Sequence, residues 1–184
     1  PLLLAFMPER WAERMDTINT YQDDVSAMGR LNAWRMAWNL ARDRFLGGGF
    51  DVSDAAIFAR YAPNPMDVHA AHSIYFQALG EHGFVGLLIY LALGIATWRT
   101  ASAIIRLTRG KAELRWAHGL ATMSQASLIG FAVGGAFLSL LYFDMPYYLM
   151  AALIATRIVV ERALRAPVPT PRQAKPGTAV AEQP

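Results

Sequence analysis

The hydrophobic positions of this chain fall into long blocks rather than short alternating runs. From Gly119 to Phe143 no residue carries a charge, 25 consecutive positions, where about 20 suffice for a helix to cross roughly 30 Å of hydrocarbon. Gly83 to Trp98 supplies 16 uncharged residues. Arg99 can reach out of an apolar layer on its long stem, and Ser73 to Gly80 ahead is also uncharged, so a tilted or extended span is expected there. Met145 to Val160 is interrupted only by Arg157. Asp144 offers a side chain that can cap free N–H groups and Pro146 suits a first helical turn, which predicts a new helix and a tight hairpin with the one before it. Upstream the blocks give way to a mixed segment. Gly29-Arg30-Leu31-Asn32-Ala33-Trp34-Arg35 opens a helix-prone run to Arg44, stopped by Gly47-Gly48-Gly49. On such a helix Arg30, Trp34 and Trp38 share one face, with Leu31, Arg35 and Arg42 on its flank.

Composition agrees with this pattern: of 184 residues 54% are hydrophobic and 17% charged, the balance of a membrane protein. The charges are segregated, and that sets an orientation. Arg99 to Arg115 carries a net charge of +4 and the stretch from Arg157 onward +3, whereas residues 8–82 carry −3 with no lysine. Basic segments beside membrane helices stay in the cytoplasm, so the acidic segment is expected outside. Both basic segments reach the same side only if residues 119–160 cross twice, which supports the hairpin. The expected fold class is therefore all-α, a polytopic integral membrane helical protein with a large extracytoplasmic loop. It divides into the end of a truncated transmembrane helix at 1–7, a periplasmic loop with helices at 8–82, and transmembrane helices at 83–98, 119–143 and 144–160. A cytoplasmic loop at 99–118 and a disordered cytoplasmic tail at 161–184 complete it. The absence of cysteine excludes disulfides and thiolate metal sites. The basic residues flank membrane segments and no nucleic-acid fold signature accompanies them, so nucleic acid is not an expected partner.

Chemistry is to be sought in the outward loop. Its arginines have two readings. In one, the tryptophans anchor the helix at the headgroup level while the arginines pair with lipid phosphate or with Asp23, Asp24 and Asp43. In the other, a guanidinium grips a diphosphate and stabilises it as a leaving group. His72 likewise reads either as a hydrogen-bonded structural residue or as a base near neutral pKa. Ser73 is placed to cap the following helix, and Gly83 with Gly86 to let neighbouring helices approach. His69 and His72 at i, i+3 form a possible chelating pair, but only His82 and scattered carboxylates remain as further ligands, so no metal is expected. His118 lies beside the inner basic segment. The glycines at 47–49 read as a turn, because no lysine with serine or threonine follows as a nucleotide-binding loop requires.

The segment His72-Ser73, nine residues, Gly83-x-x-Gly86 at the mouth of an apolar helix resembles the signature of the O-antigen ligase superfamily. Gly29-Arg30 with Trp34, and then Leu46, Gly47 and Gly49, are similar to two further segments that precede the histidine in that superfamily. One departure is Phe45, where many relatives have proline. The wording from Ala71 to Gly86 looks most like the O-glycosylation ligases found with exosortase systems. The resemblance implies a metal-independent enzyme without a cofactor. It would transfer a glycan from an undecaprenyl diphosphate carrier to a glycan, lipid or protein acceptor at the periplasmic face of the bacterial inner membrane. It further implies His72 as catalytic base and Arg30 with Arg35 as diphosphate ligands. A polysaccharide polymerase of the same superfamily, or a non-catalytic export or assembly component, are the alternatives.

Overall fold

The structure, a computed structural model, describes residues 25–166. The expected helix end at 1–7, Asp23 and Asp24, and most of the expected tail lie outside the described residues. Every regular element among the described residues is helical. Helix α1 runs Val25–Asp43, α2 Ala55–Tyr61, α3 Ile74–Thr108, α4 Arg115–Gly135 and α5 Met145–Arg165, with a 3-10 turn at Ala112–Leu114 leading into α4.

Two small cores organise these helices. In α1 the buried residues Gly29, Asn32, Ala33, Met36, Ala37, Leu40 and Ala41 recur at alternating spacings of three and one, the stripe that seats one face of a helix on a core. Ala33, Met36 and Leu40 pack with Val52, Phe58 and Tyr61 from the following loop and α2. The Asp54 carboxylate starts α2 by accepting from the Ala56 N–H at 2.7 Å, the standard exchange for one orphan donor of a first turn. The second core joins the far half of α3 to α4 and α5 through Ala101, Ile104, Ala117, Ala121, Leu153 and Val160. Alanine at three of the core positions, Ala101, Ala117 and Ala121, lets the three helices lie close together.

Helix α3 is the one helix among the described residues long and apolar enough to cross a membrane, and only 28% of its apolar window is buried. Its apolar side chains thus face outward, unlike those of a core helix in a water-soluble domain. It is not continuous. At Gly83 the backbone turns to φ 66, ψ −163 and the helix resumes beyond it. The uncharged run Gly119–Phe143 is not one helix either: α4 begins at Arg115 and stops at Gly135, and residues 136–144 form turns before α5. Gly134 and Gly135 weaken the helix locally, and Ile74 occupies the space that a side chain at Gly135 would need, 2.5 Å from its Cβ position. Asp144 does precede α5 and Pro146 does sit in its first turn, but the Asp144 side chain makes no capping bond. Its carbonyl accepts from Tyr147 and Tyr148 instead.

Candidate functional site

Helix α1, the glycine loop after it and the connection between α4 and α5 converge on the first part of α3. The first contact is made by Trp34 of α1, whose indole N–H donates to the Ala71 carbonyl at 2.7 Å. Its ring stacks on Phe76 at 4.7 Å, 6° from parallel. Trp34 therefore clamps α1 to the turn before α3. Trp38, half exposed, meets Phe84 edge-on. Asn32, buried in α1, donates to the carbonyls of Asn64 and Asp67 and accepts from the Asn64 N–H, which ties down the loop that leads to His72. A side chain at Gly29 would lie 3.0 Å from the His69 ring, so the glycine makes room for that histidine. His69 Nδ1 in turn stands 2.7 Å from an Asp67 carboxylate oxygen, close but outside hydrogen-bond alignment.

The second contact is backbone on backbone. Phe45 carbonyl accepts from Phe84 N–H, Gly48 N–H donates to the Gly80 carbonyl, and Gly49 N–H donates to the Glu81 carbonyl, at 2.9–3.1 Å. This stitches the glycine loop across the break in α3. A Cβ at Gly83 would sit 2.0 Å from the Phe45 oxygen, and one at Gly47 2.5 Å from the Glu81 oxygen. Both glycines also hold positive φ, so each is required twice over. The glycines at 47–49 are a turn, as the sequence indicates. Gly83 admits that turn rather than a neighbouring helix, and Gly86 leaves room for the His82 side chain, 2.1 Å from where its own Cβ would be.

His72 stands exposed between these clamps. Its φ is +43, in the left-handed region that costs a non-glycine residue about 1–2 kcal/mol. Ala71 is held on one side by Trp34, and Ser73 and Ile74 are fully buried on the other. Such a conformation persists only where its surroundings over-determine it. His72 makes no side-chain hydrogen bond among the described residues, so the structure gives it no architectural partner. Ser73 occupies the N-cap position of α3 without a side-chain capping bond, contrary to its expected role. Tyr75 fastens this turn to α4 by donating to the Ala132 carbonyl at 2.9 Å.

Arg30 is half-buried, and its Nε has no hydrogen-bond partner among the described residues. Arg35 is exposed and lines a groove of about 380 Å³ with Trp34, Trp38 and Phe76. Five residues apart on a helix, the two arginines are rotated by about 140°, so one compact ligand group does not touch both from the same face of α1. Asp43, a proposed partner for the arginines, is instead engaged by Arg60 at 3.5 Å and by the Tyr61 hydroxyl at 2.5 Å.

The sequence reading missed Glu81 and Tyr142. Glu81 is buried beside the break in α3. Its carboxylate accepts from the Gln77 amide at 3.1 Å and from the Tyr142 hydroxyl in a short contact. Tyr142 lies in the connection between α4 and α5. Burial, followed by the hydrogen bond to Glu81 and the charge of that carboxylate, pushes its phenol above the ordinary value, so it remains a donor. With its single proton committed to Glu81, Tyr142 can only accept from His82 Nε2 at 2.8 Å. That assigns a proton to His82 Nε2. Glu81 stands two places before Gly83 in the same segment as His72, and that adjacency was the available signal.

Residues 1–91 match the family model described as O-antigen ligase. The matched stretch holds Gly29, Arg30, Trp34, the glycine loop, His72, Glu81 and Gly83, that is, every member of the converging arrangement except Tyr142 and the α4 contacts. No curated protein and no solved structure matches the chain.

Proposed function

We propose that this chain carries the transfer site of an O-antigen ligase-like enzyme of the bacterial inner membrane, which moves a glycan from undecaprenyl diphosphate to an acceptor hydroxyl. The observation that carries the reading is the convergence on His72: α1 and the glycine loop, both within the family match, are spent on fixing the backbone around an exposed, strained histidine. A structural histidine would show a partner, and a strained exposed one held from both sides has the character of a working group.

In the proposed reaction the acceptor oxygen attacks the anomeric carbon as His72 takes its proton. The bond from that carbon to the diphosphate oxygen breaks, and undecaprenyl diphosphate leaves with the electron pair. Arg30 meets the leaving diphosphate. Its planar, permanently charged fork suits phosphate oxygens, and its buried Nε lacks a partner. Arg35, on another face of α1 in the exposed groove beside Trp34, is given no contact with that same diphosphate. No metal is assigned a role. The orientation follows the charge asymmetry, with residues 8–82 periplasmic, α3, α4 and α5 as membrane-spanning helices, and the segment around Lys111 cytoplasmic. A polymerase of the same superfamily shares every one of these elements and differs in its acceptor.

Arg30 provides the test. Arg30→Lys keeps the charge and loses the fork, so transfer from an undecaprenyl diphosphate-linked donor should fall at least tenfold at normal membrane abundance, and Arg30→Ala further. Near-normal transfer by Arg30→Ala would remove the diphosphate assignment.

A further inference from the structure

Beside the break in α3 lies a cavity of about 380 Å³ whose wall includes Ala70 and Ala71, the two residues before His72. Three aromatic rings line it, those of Phe50, Phe76 and Tyr142, together with the carboxylates Asp51 and Glu81, the Gln77 amide and the hydroxyls of Ser53 and Ser139. No basic residue does. Phe50 is three-quarters exposed and is braced edge-on by His82 at 5.3 Å and by the tilted ring of Tyr142 at 5.9 Å. Asp51 sits next to it with φ +55, and its carboxylate has no ion pair or hydrogen bond among the described residues.

We infer that this cavity is a subsite for an uncharged sugar ring of the donor or acceptor glycan, an inference that rests on the transferase reading. Aromatic faces stack against the C–H faces of a pyranose, and fixed carboxylate and amide groups accept and donate to its hydroxyls in directed pairs. The size is at the lower end of those that hold small molecules and suits one ring or two. Two carboxylates with no cation repel diphosphate and acidic sugars alike, because like charges brought together in a partly desolvated pocket are costly. Charge thus separates the functions: Arg30 on α1 meets phosphate, and the cavity meets sugar. Glu81 shapes the wall, held by Tyr142 and Gln77, whereas Asp51 is the carboxylate left free to receive a hydroxyl.

Binding to the full-length protein in nanodiscs tests this. The donor arm uses undecaprenyl diphosphate bare, bearing N-acetylglucosamine, or bearing glucuronic acid. The acceptor arm uses soluble N,N′-diacetylchitobiose. In at least one arm the neutral sugar should contribute about tenfold in affinity, the worth of one charge-assisted hydrogen bond with its stacking contact. Phe50→Ala and Asp51→Asn should each abolish that contribution and leave the affinity for the bare carrier unchanged, while glucuronic acid should contribute nothing. Dependence in the donor arm or the acceptor arm identifies which glycan enters. The subsite is overturned if neither neutral sugar binds in a manner sensitive to these two variants, or if glucuronic acid is accepted equally well. Failure of the bare carrier to bind would instead count against the transferase reading itself.

Discussion

At the scale of single residues, the sequence exposes spacing but hides partners. Gly29, Arg30 and Trp34 can be recognised from their order, and so can His72 with Gly83 and Gly86. What could not be read is that Trp34 fastens the residue before His72: its acceptor, Ala71, lies 37 positions away, and a tryptophan one turn from another tryptophan beside arginines has the same signature at a membrane interface. The structure yields a specific expectation. Trp34→Phe keeps an aromatic stack on Phe76 and deletes the indole donor, which costs about 1 kcal/mol in stability but releases the residue before His72. Transfer should fall about tenfold with donor affinity unchanged, whereas Trp34→Ala should lower both transfer and thermal stability. A wild-type turnover rate in Trp34→Phe would show that the Ala71 contact does not position His72. Glu81 was illegible for a similar reason, since its partner Tyr142 arrives from 61 positions downstream.

At the scale of elements, apolar runs located the helices better than they located the helix ends. Met145–Arg165 begins where Asp144 and Pro146 indicate, and α1 stops just short of Arg44 ahead of the glycine turn. The run from Gly119 to Phe143 lacks charge throughout, yet lack of charge does not say where a backbone turns. Gly134-Gly135 carried that information, and the residues after it return toward Glu81. The break at Gly83 was equally hidden inside an apolar stretch, because its cause is a loop that begins at Phe45. Gly83→Ala places a methyl group 2.0 Å from the Phe45 oxygen in a backbone region essentially confined to glycine, a strain of about 1–3 kcal/mol before any clash. The variant should lose protection of the 45–49 loop against proteolysis and lose transfer. Gly94→Ala, with nothing within 4 Å of the added Cβ, should behave as wild type. Equal behaviour of the two variants would contradict the stitched-loop interpretation.

At the scale of the whole molecule, the helices leave broad apolar faces uncovered. Leu88, Ile89 and Ile95 on α3, Met123, Ile129 and Val133 on α4, and Ile154, Ile158 and Val159 on α5 are all substantially exposed, more apolar surface than a water-soluble monomer presents. The proposed orientation rests on charge segregation, and labelling tests it. A cysteine introduced by Ser53→Cys should react with an impermeant thiol reagent in intact spheroplasts, and one introduced by Lys111→Cys should not, both positions being exposed. The reverse pattern would place the His72 site on the side opposite a periplasmic donor. The most direct measurement is glycan transfer in vitro by purified full-length protein, with an undecaprenyl diphosphate-linked donor and an acceptor, in the presence and absence of EDTA. General-base assistance is worth about 10² to 10⁴ in rate. His72→Ala should therefore lose at least a hundredfold in turnover while still inserting, and EDTA should leave wild-type turnover intact. Full turnover by His72→Ala, or its loss on chelation in the wild type, would contradict a metal-independent transfer that turns on this histidine.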